Sequence, residues 1–165
     1  MAGTPRLQLR PATPADVPQI LAFIRELAEY EQLSHEVVAS EASLLAQLFG
    51  ERPPAEVVMA EVDGEPAGFA LYFVNFSTFL GLPGLYLEDL FVRPAFRGLG
   101  LGRALMVHLA RLAVSRGYGR FEWSVLDWNA PAIGFYRTLG AVGQDEWTVQ
   151  RLTGAALHAL AQSGD

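Results

Sequence analysis

The chain contains no cysteine and no lysine, so all twelve basic side chains are arginine. Without thiols there is no disulfide, no thiolate nucleophile and no Cys-ligated metal site. The histidines, His35, His108 and His158, are too dispersed to form a zinc motif, and no metal is expected. Without lysine, Schiff-base, pyridoxal-phosphate and Walker-A chemistry are excluded, because each requires that amine. No apolar run approaches the roughly 18 residues of a membrane span, and Met1 to Arg10 lacks the apolar core of a secretion signal. The expected compartment is the cytoplasm, with no membrane partner.

Positive charge is scarce overall. A net charge of −6 and a pI near 5.0 argue against a nucleic-acid partner, since phosphate backbones are bound by clustered positive charge. The same balance suits a cationic small molecule, although solubility alone would also explain it. What is present is a packed composition: 51% hydrophobic and 18% charged residues in a chain of 165. That length fits one domain, 1–165, able to bury a core without disulfides.

Periodicity and turn chemistry give the element order. Arg6 to Arg10 reads as a strand, and Thr13-Pro14-Ala15-Asp16 starts a helix carried by Ile20, Phe23, Ile24, Leu27 and Ala28. Ser40 caps a second helix, which Gly50 ends. Glu56 to Val62 and Ala67 to Phe76 form a hairpin through Asp63-Gly64, a pair that tolerates the positive φ angles of a tight turn. After Gly81-Leu82-Pro83-Gly84 comes a fourth strand, Leu85 to Val92, then a helix from about Gly100 to Arg116. Phe121 to Leu126 is a fifth strand, Pro131 to Leu139 a helix, Trp147 to Leu152 a sixth strand, and the chain closes on an Ala/Leu-rich helix. The expected fold is α/β, a mixed and mostly antiparallel sheet of about six to seven strands with helices on both faces.

Strand, glycine-rich turn and helix together make a phosphate site, because the first N–H groups of a helix are unpaired and carry the positive end of its dipole. Arg97-Gly98-Leu99-Gly100-Leu101-Gly102 has this form, though a plain glycine turn at a helix start has it too. The dinucleotide pattern G-x-G-x-x-G fails from either Gly98 or Gly100, whose sixth positions are Arg103 and Leu105. The Walker pattern fails for want of lysine. Arg/Gln-x-x-Gly-x-Gly/Ala remains, met by Arg97, Gly100 and Gly102.

This pattern resembles the acetyl-CoA loop of the GNAT superfamily of N-acetyltransferases. The resemblance covers nearly the whole chain and is closest to the spermidine/spermine and thialysine branch. It is carried by Arg10-Pro11-Ala12-Thr13, by Glu29-Tyr30-Glu31, by Tyr86-Leu87-Glu88-Asp89-Leu90-Phe91-Val92, and by Leu126-Asp127-Trp128-Asn129 running on to Phe135-Tyr136 and Leu139-Gly140-Ala141.

The resemblance implies the GNAT fold, in which a bulge splays a central strand pair and the pantetheine arm of acetyl-CoA lies in the gap. It assigns main-chain contacts with pantetheine to Leu90, Phe91 and Val92, and the pyrophosphate to Gly98 through Arg103. Asn129, Ala130, Pro131 and Ala132 would touch the cofactor's pantetheine and adenosine side, although helix capping alone explains Asn129 and Pro131. Tyr136 would protonate the departing thiolate, a reasonable transfer for a phenol of pKa about 10; packing is its bland alternative. Glu88 would be the base, directly or through water, and Asp89 would help bind substrate. Strand alternation places the two acids on opposite faces, one of them toward the cleft.

Tyr30 and Glu31 are expected at the acceptor amine, together with Glu122, Trp123 and Ser124, and with Asp145 or Glu146 beyond the fourth helix. Ser77, Thr78 and Phe79 stand where polyamine specialists carry an acid and a tryptophan, so a diamine or lysine analogue is expected over spermine. The implied activity is direct acetyl transfer from acetyl-CoA to a primary amine, with zero cysteine favouring the direct route. Rivals are a protein N-terminus, lysine or aminoglycoside as acceptor, or a non-catalytic acyl-CoA sensor. A homodimer is expected from the resemblance alone.

Overall fold

Five strands form one mixed sheet, ordered β1-β2-β3-β4-β5, in the computed structural model, which describes residues 3–164. They are β1 (Leu7–Pro11), β2 (Glu56–Val62), β3 (Glu65–Ser77), β4 (Leu82–Val92) and β5 (Phe121–Trp123). The first four pair antiparallel and β5 joins β4 in parallel. The α-helices are α1 (Val17–Tyr30), α2 (Glu41–Leu48), α3 (Leu101–Ser115), α4 (Ala130–Thr138) and α5 (Gly154–Gln162). The chain divides into two compact units: Met1–Ser124 contains the sheet and α1 to α3, and Val125–Asp165 contains α4 and α5.

The local signals act as expected. Asp63 and Gly64 turn with φ of 51° and 82°, and the Asp63 carboxylate accepts a hydrogen bond from the Arg6 amide. Thr13 precedes a single 3₁₀ turn, Pro14–Asp16, that runs into α1. Asp16 accepts from the Thr13 amide and from the Arg10 guanidinium, which also reaches Glu61 on β2. The entry to α1 is thereby tied to two strands.

Val57, Val58, Met59 and Ala60 are all buried, so both faces of β2 are covered. On one face Ile20 and Phe23 of α1 pack against Val57, Met59, Phe69 and Phe91, with the Phe23 and Phe69 rings stacked at 5.4 Å. Against the sheet also lies α3, contacting β2 and β4 and burying Leu101, Leu105 and Leu109.

One irregularity reorganises β4. Leu71 pairs with Asp89 and the next residue, Tyr72, pairs with Leu87, so Glu88 is an extra residue in the strand. Cross-strand partners share a face. Phe91 and Asp89 therefore lie with Phe69 and Leu71 on the α1 face, whereas Leu87 and Leu85 lie opposite Tyr72 and Val74 on the other. The bulge reverses the alternation within two residues.

The sheet has five strands rather than the expected six to seven. Residues 147–152 have strand-like composition, but no ladder among the described residues includes them, and Trp147 and Val149 are 79% and 76% exposed. A strand exists only where a neighbouring edge supplies its hydrogen bonds, and composition cannot supply that edge. The fifth strand is likewise three residues long instead of six, because its ladder with β4 covers only Leu85 to Leu87, just short of the bulge. Within the described sheet the diverging pair is therefore at the edge rather than the centre.

Candidate active site

Where β4 bulges, α1 is ending. Gln32 takes φ of 61° and the Leu33 amide bonds back to the Ala28 carbonyl, a helix stop that turns the chain sharply. The connection from α1 to α2 then runs beside the end of the helix and borders an open pocket of about 410 Å³. Ile24, Leu27, Ala28 and Glu31 line it from α1, Leu33, Glu36, Val37, Val38 and Ala39 from the connection, and Glu88 and Asp89 from β4. Its lining is apolar apart from four carboxylates, and no arginine or histidine contributes to it.

Both acids of the Glu88-Asp89 pair line this cavity, which corrects the expectation of opposite faces. That expectation assumed a regular strand, and the bulge at Glu88 removes it. The environments of the two acids still differ. Glu88 is exposed; Asp89 is half-buried, and its carboxyl is pushed up to about 7 by desolvation first, then by the negative charges of Glu88 and Glu31. Burial also raises Glu31. Glu36 and its apolar neighbours were missed in the sequence; the available signal was an acid in a short connection following Tyr30-Glu31.

Beyond Leu87 the β5 ladder has ended, so Leu90, Phe91 and Val92 continue past the edge that β5 covers. The chain then passes through a 3₁₀ turn, Pro94–Phe96, to the glycine loop. Gly98 and Gly100 have φ of 82° and 81°, and a Cβ on either would meet nothing within 4 Å. Their conformation demands glycine, while the surrounding space is open. Gly100 begins α3 without a side-chain cap, and the Ala104 amide makes the first intrahelical bond to the Gly100 carbonyl. The amides of Leu101, Gly102 and Arg103 precede that bond and are available to an anion. These features fit a phosphate-bearing group.

Arg97 takes a different position from the rest of the loop. Its Nε donates to the Val92 carbonyl at 3.0 Å and its guanidinium lies over the Tyr30 ring at 5.4 Å. The Val92 carbonyl is thus engaged by protein. Glu122 accepts a long hydrogen bond from Asn75, Ser124 shares one with the Tyr86 hydroxyl at 2.7 Å, and Trp123 packs edge-on to Phe121. None of these three β5-side residues lines the acidic cavity, and neither does Tyr30.

In the second unit, buried Asn129 caps α4 by accepting from the Ala132 amide, with Pro131 in the first turn. Tyr136 is half-buried on α4 with its ring 5.5 Å from that of Phe135. Asp145 and Glu146 are exposed in the segment after α4. Among the described residues no group of His, Asp and Glu is arranged to hold a metal ion, and no helix is long and apolar enough to cross a membrane.

Residues 21–141 match the family model described as acetyltransferase (GNAT) family. The chain belongs to the GNAT family. As a GNAT acetyltransferase it is 41% identical to the thialysine N-epsilon-acetyltransferase of Sus scrofa, over 93% of this chain and 96% of that protein. It is 35% identical to the L-ornithine N5-acetyltransferase NATA1 of Arabidopsis thaliana, over 93% of this chain and 87% of the relative. Among solved structures, an integron cassette protein from the mobile metagenome of V. cholerae superposes with a TM-score of 0.79 at 30% identity, covering 95% of this chain and 98% of that one. The GNAT enzyme is therefore an acyltransferase with an α/β fold, as its sequence motifs implied.

Proposed function

We propose that this enzyme transfers acetyl from acetyl-CoA directly to a primary amine of a small cationic acceptor: a diamine, a polyamine or a lysine analogue resembling thialysine. The carrying observation is the cavity beside the β4 bulge, where four carboxylates and no basic side chain face an otherwise apolar space. Clustered carboxylates attract a cation and repel an anion. Relatives named for thialysine and L-ornithine acetylation support an acceptor of that size.

The donor reading rests on the glycine loop and the strand edge. The amides at the start of α3 would hold the pyrophosphate, Leu90 and Phe91, and Val92 through its amide, would offer main-chain groups to pantetheine, and Arg103 would add charge. Asn129 to Ala132 would contact the same donor, and Tyr136 would supply the proton that the departing thiolate takes. Glu88, Asp89, Tyr30 and Glu31 would receive the amine. Glu122, Trp123 and Ser124, which like Tyr30 lie outside the pocket lining, would contact the acceptor beyond its amine, as would Asp145 or Glu146.

The family match runs from residue 21 to 141, across both compact units, which supports one functional domain. Exposed Trp147, Val149 and Leu152 in the unpaired segment 147–152 support a homodimer, in which a second copy would supply the missing strand neighbour. A cytoplasmic setting completes the proposal.

The test is thiol release from acetyl-CoA across a panel of diamines, lysine analogues, monoamines, aminoglycosides and peptides. Release with diamines or lysine analogues is expected. Release confined to peptides or aminoglycosides would replace the acceptor, and no release with any of them would return the protein to the sensor reading.

A further inference from the structure

We infer that Asp89, and not Glu88, takes the proton from the acceptor amine, with Glu88 and Glu31 acting on it as a surrounding negative field. This deepens the proposed acetyl transfer and rests on it.

The geometry begins with the bulge. Because Glu88 is the extra residue, Asp89 is rotated onto the α1 face, opposite apolar Leu71 of β3 and in line with the Phe91 core. Its carboxyl therefore stands between the buried core and the cavity. The groups that face it from the neighbouring elements are all acidic or apolar. Ile24, Leu27 and Glu31 come from α1, Glu36 from the connection, and Glu88 from its own strand. The nearby histidine, His35, has its Nε2 3.5 Å from a Glu36 carboxylate oxygen. No cation of the cavity lining is present to hold Asp89 ionised.

These surroundings decide which acid can exchange protons near neutral pH. An ammonium of pKa about 10 gives its proton to a normal carboxylate only against about six pH units, a population factor near 10⁶. Against a carboxyl pushed up to about 7 the deficit falls to about three units, or near 10³. Desolvation is the first cause of that rise and Glu88 and Glu31 add to it, so the neighbouring acids have a function of their own. Exposed Glu88 lacks the burial that tunes its neighbour.

The Asp89 carboxylate accepts one proton from R–NH₃⁺, leaving R–NH₂ and a neutral carboxyl. The nitrogen lone pair forms the C–N bond to the thioester carbonyl carbon, and collapse breaks the C–S bond. The thiolate gains one proton as the new amide nitrogen loses one, and Asp89 returns its proton to water. An empty cavity above pH 7 holds the ionised form ready for the next ammonium.

The experiment is the pH dependence of kcat/KM for wild type, Asp89→Asn and Glu88→Gln with a diamine, together with ¹³C NMR titration of the Asp89 carboxyl in the protein free of acceptor. Wild-type turnover establishes the acetyl transfer independently, so a wild type without turnover counts against the proposed function and not against Asp89, whose titration is still read directly. Expected are a lower limb near pH 7, its disappearance in Asp89→Asn with kcat reduced 10²- to 10⁴-fold, and an acid-ward shift of the limb in Glu88→Gln. Titration of the Asp89 carboxyl near 7 supports the assignment, and titration below pH 5 overturns it. A limb that survives Asp89→Asn, or that vanishes only in Glu88→Gln, gives the role to Glu88 instead.

Discussion

The Arg97 guanidinium lies over the Tyr30 ring at 5.4 Å while its Nε bonds to the Val92 carbonyl at 3.0 Å. One side chain thereby links the glycine loop, the end of β4 and the last residue of α1, next to Glu31. The arginine of the loop pattern is used here to brace the loop against the end of α1.

Removing that brace is expected to affect both halves of the reaction. Arg97→Gln and Tyr30→Leu should each weaken acetyl-CoA binding by calorimetry and raise the acceptor KM, whereas Tyr30→Phe keeps the ring and should do neither through this contact. A double-mutant cycle is expected to give a coupling of about 0.5–1 kcal/mol. Additive effects would disconnect the two residues.

Tyr136→Phe keeps the α4 packing with Phe135 and removes only the hydroxyl. A proton donor acts in the transition state, so kcat should fall about 10²-fold or more with acetyl-CoA affinity little changed. Unaltered turnover would leave Tyr136 as packing.

Asp89 also makes stability depend on pH. Its folded-state carboxyl is raised to about 7 from the ordinary 3.8, so between those values the folded state holds a proton that the unfolded chain has lost. Stability should therefore fall as pH rises from about 4 to 7, with the full penalty present above 7. Asp89→Asn removes the charge, and thermal unfolding at pH 8 should show a higher Tm than wild type, with the gain shrinking toward pH 4. Equal midpoints at pH 8 would mean that the acid is not desolvated.

Asp16 works with the opposite sign. Hydrogen bonding to Arg10 lowers its carboxyl from 3.8 to about 2, so its contribution is complete above pH 3.8 and is lost as pH falls through 2. Asp16→Asn is expected to destabilise at pH 7 by about 1–2 kcal/mol in urea titrations, because it breaks the link between the α1 entry and two strands. The difference from wild type should vanish by about pH 2.

Gly100→Ala places a side chain at φ of 81° where its Cβ meets no atom. Strain without a clash should cost about 1 kcal/mol of stability, and the reshaped amides at the start of α3 should weaken acetyl-CoA binding. A binding constant unchanged by the substitution would argue against the loop as the phosphate site.

The sequence by itself determined what is local. Asp63-Gly64 could hardly avoid a hairpin, Ser40 and Thr13 begin helices, and the spacing of Arg97, Gly100 and Gly102, once lysine was found absent, left one phosphate pattern standing. These are matters of backbone conformation and short-range hydrogen bonding, which neighbouring residues settle among themselves. Tertiary structure alone decided the rest. That Glu88 is extra depends on the register of β3, which lies many residues away and cannot be read from alternation in β4. Residues 147–152 have strand-like composition yet are no strand, because pairing belongs to two segments at once. Asp89 became half-buried, and Glu36 came to line the same pocket, only when the chain after α1 folded beside the bulge and took the Asp89 carboxyl partly out of water.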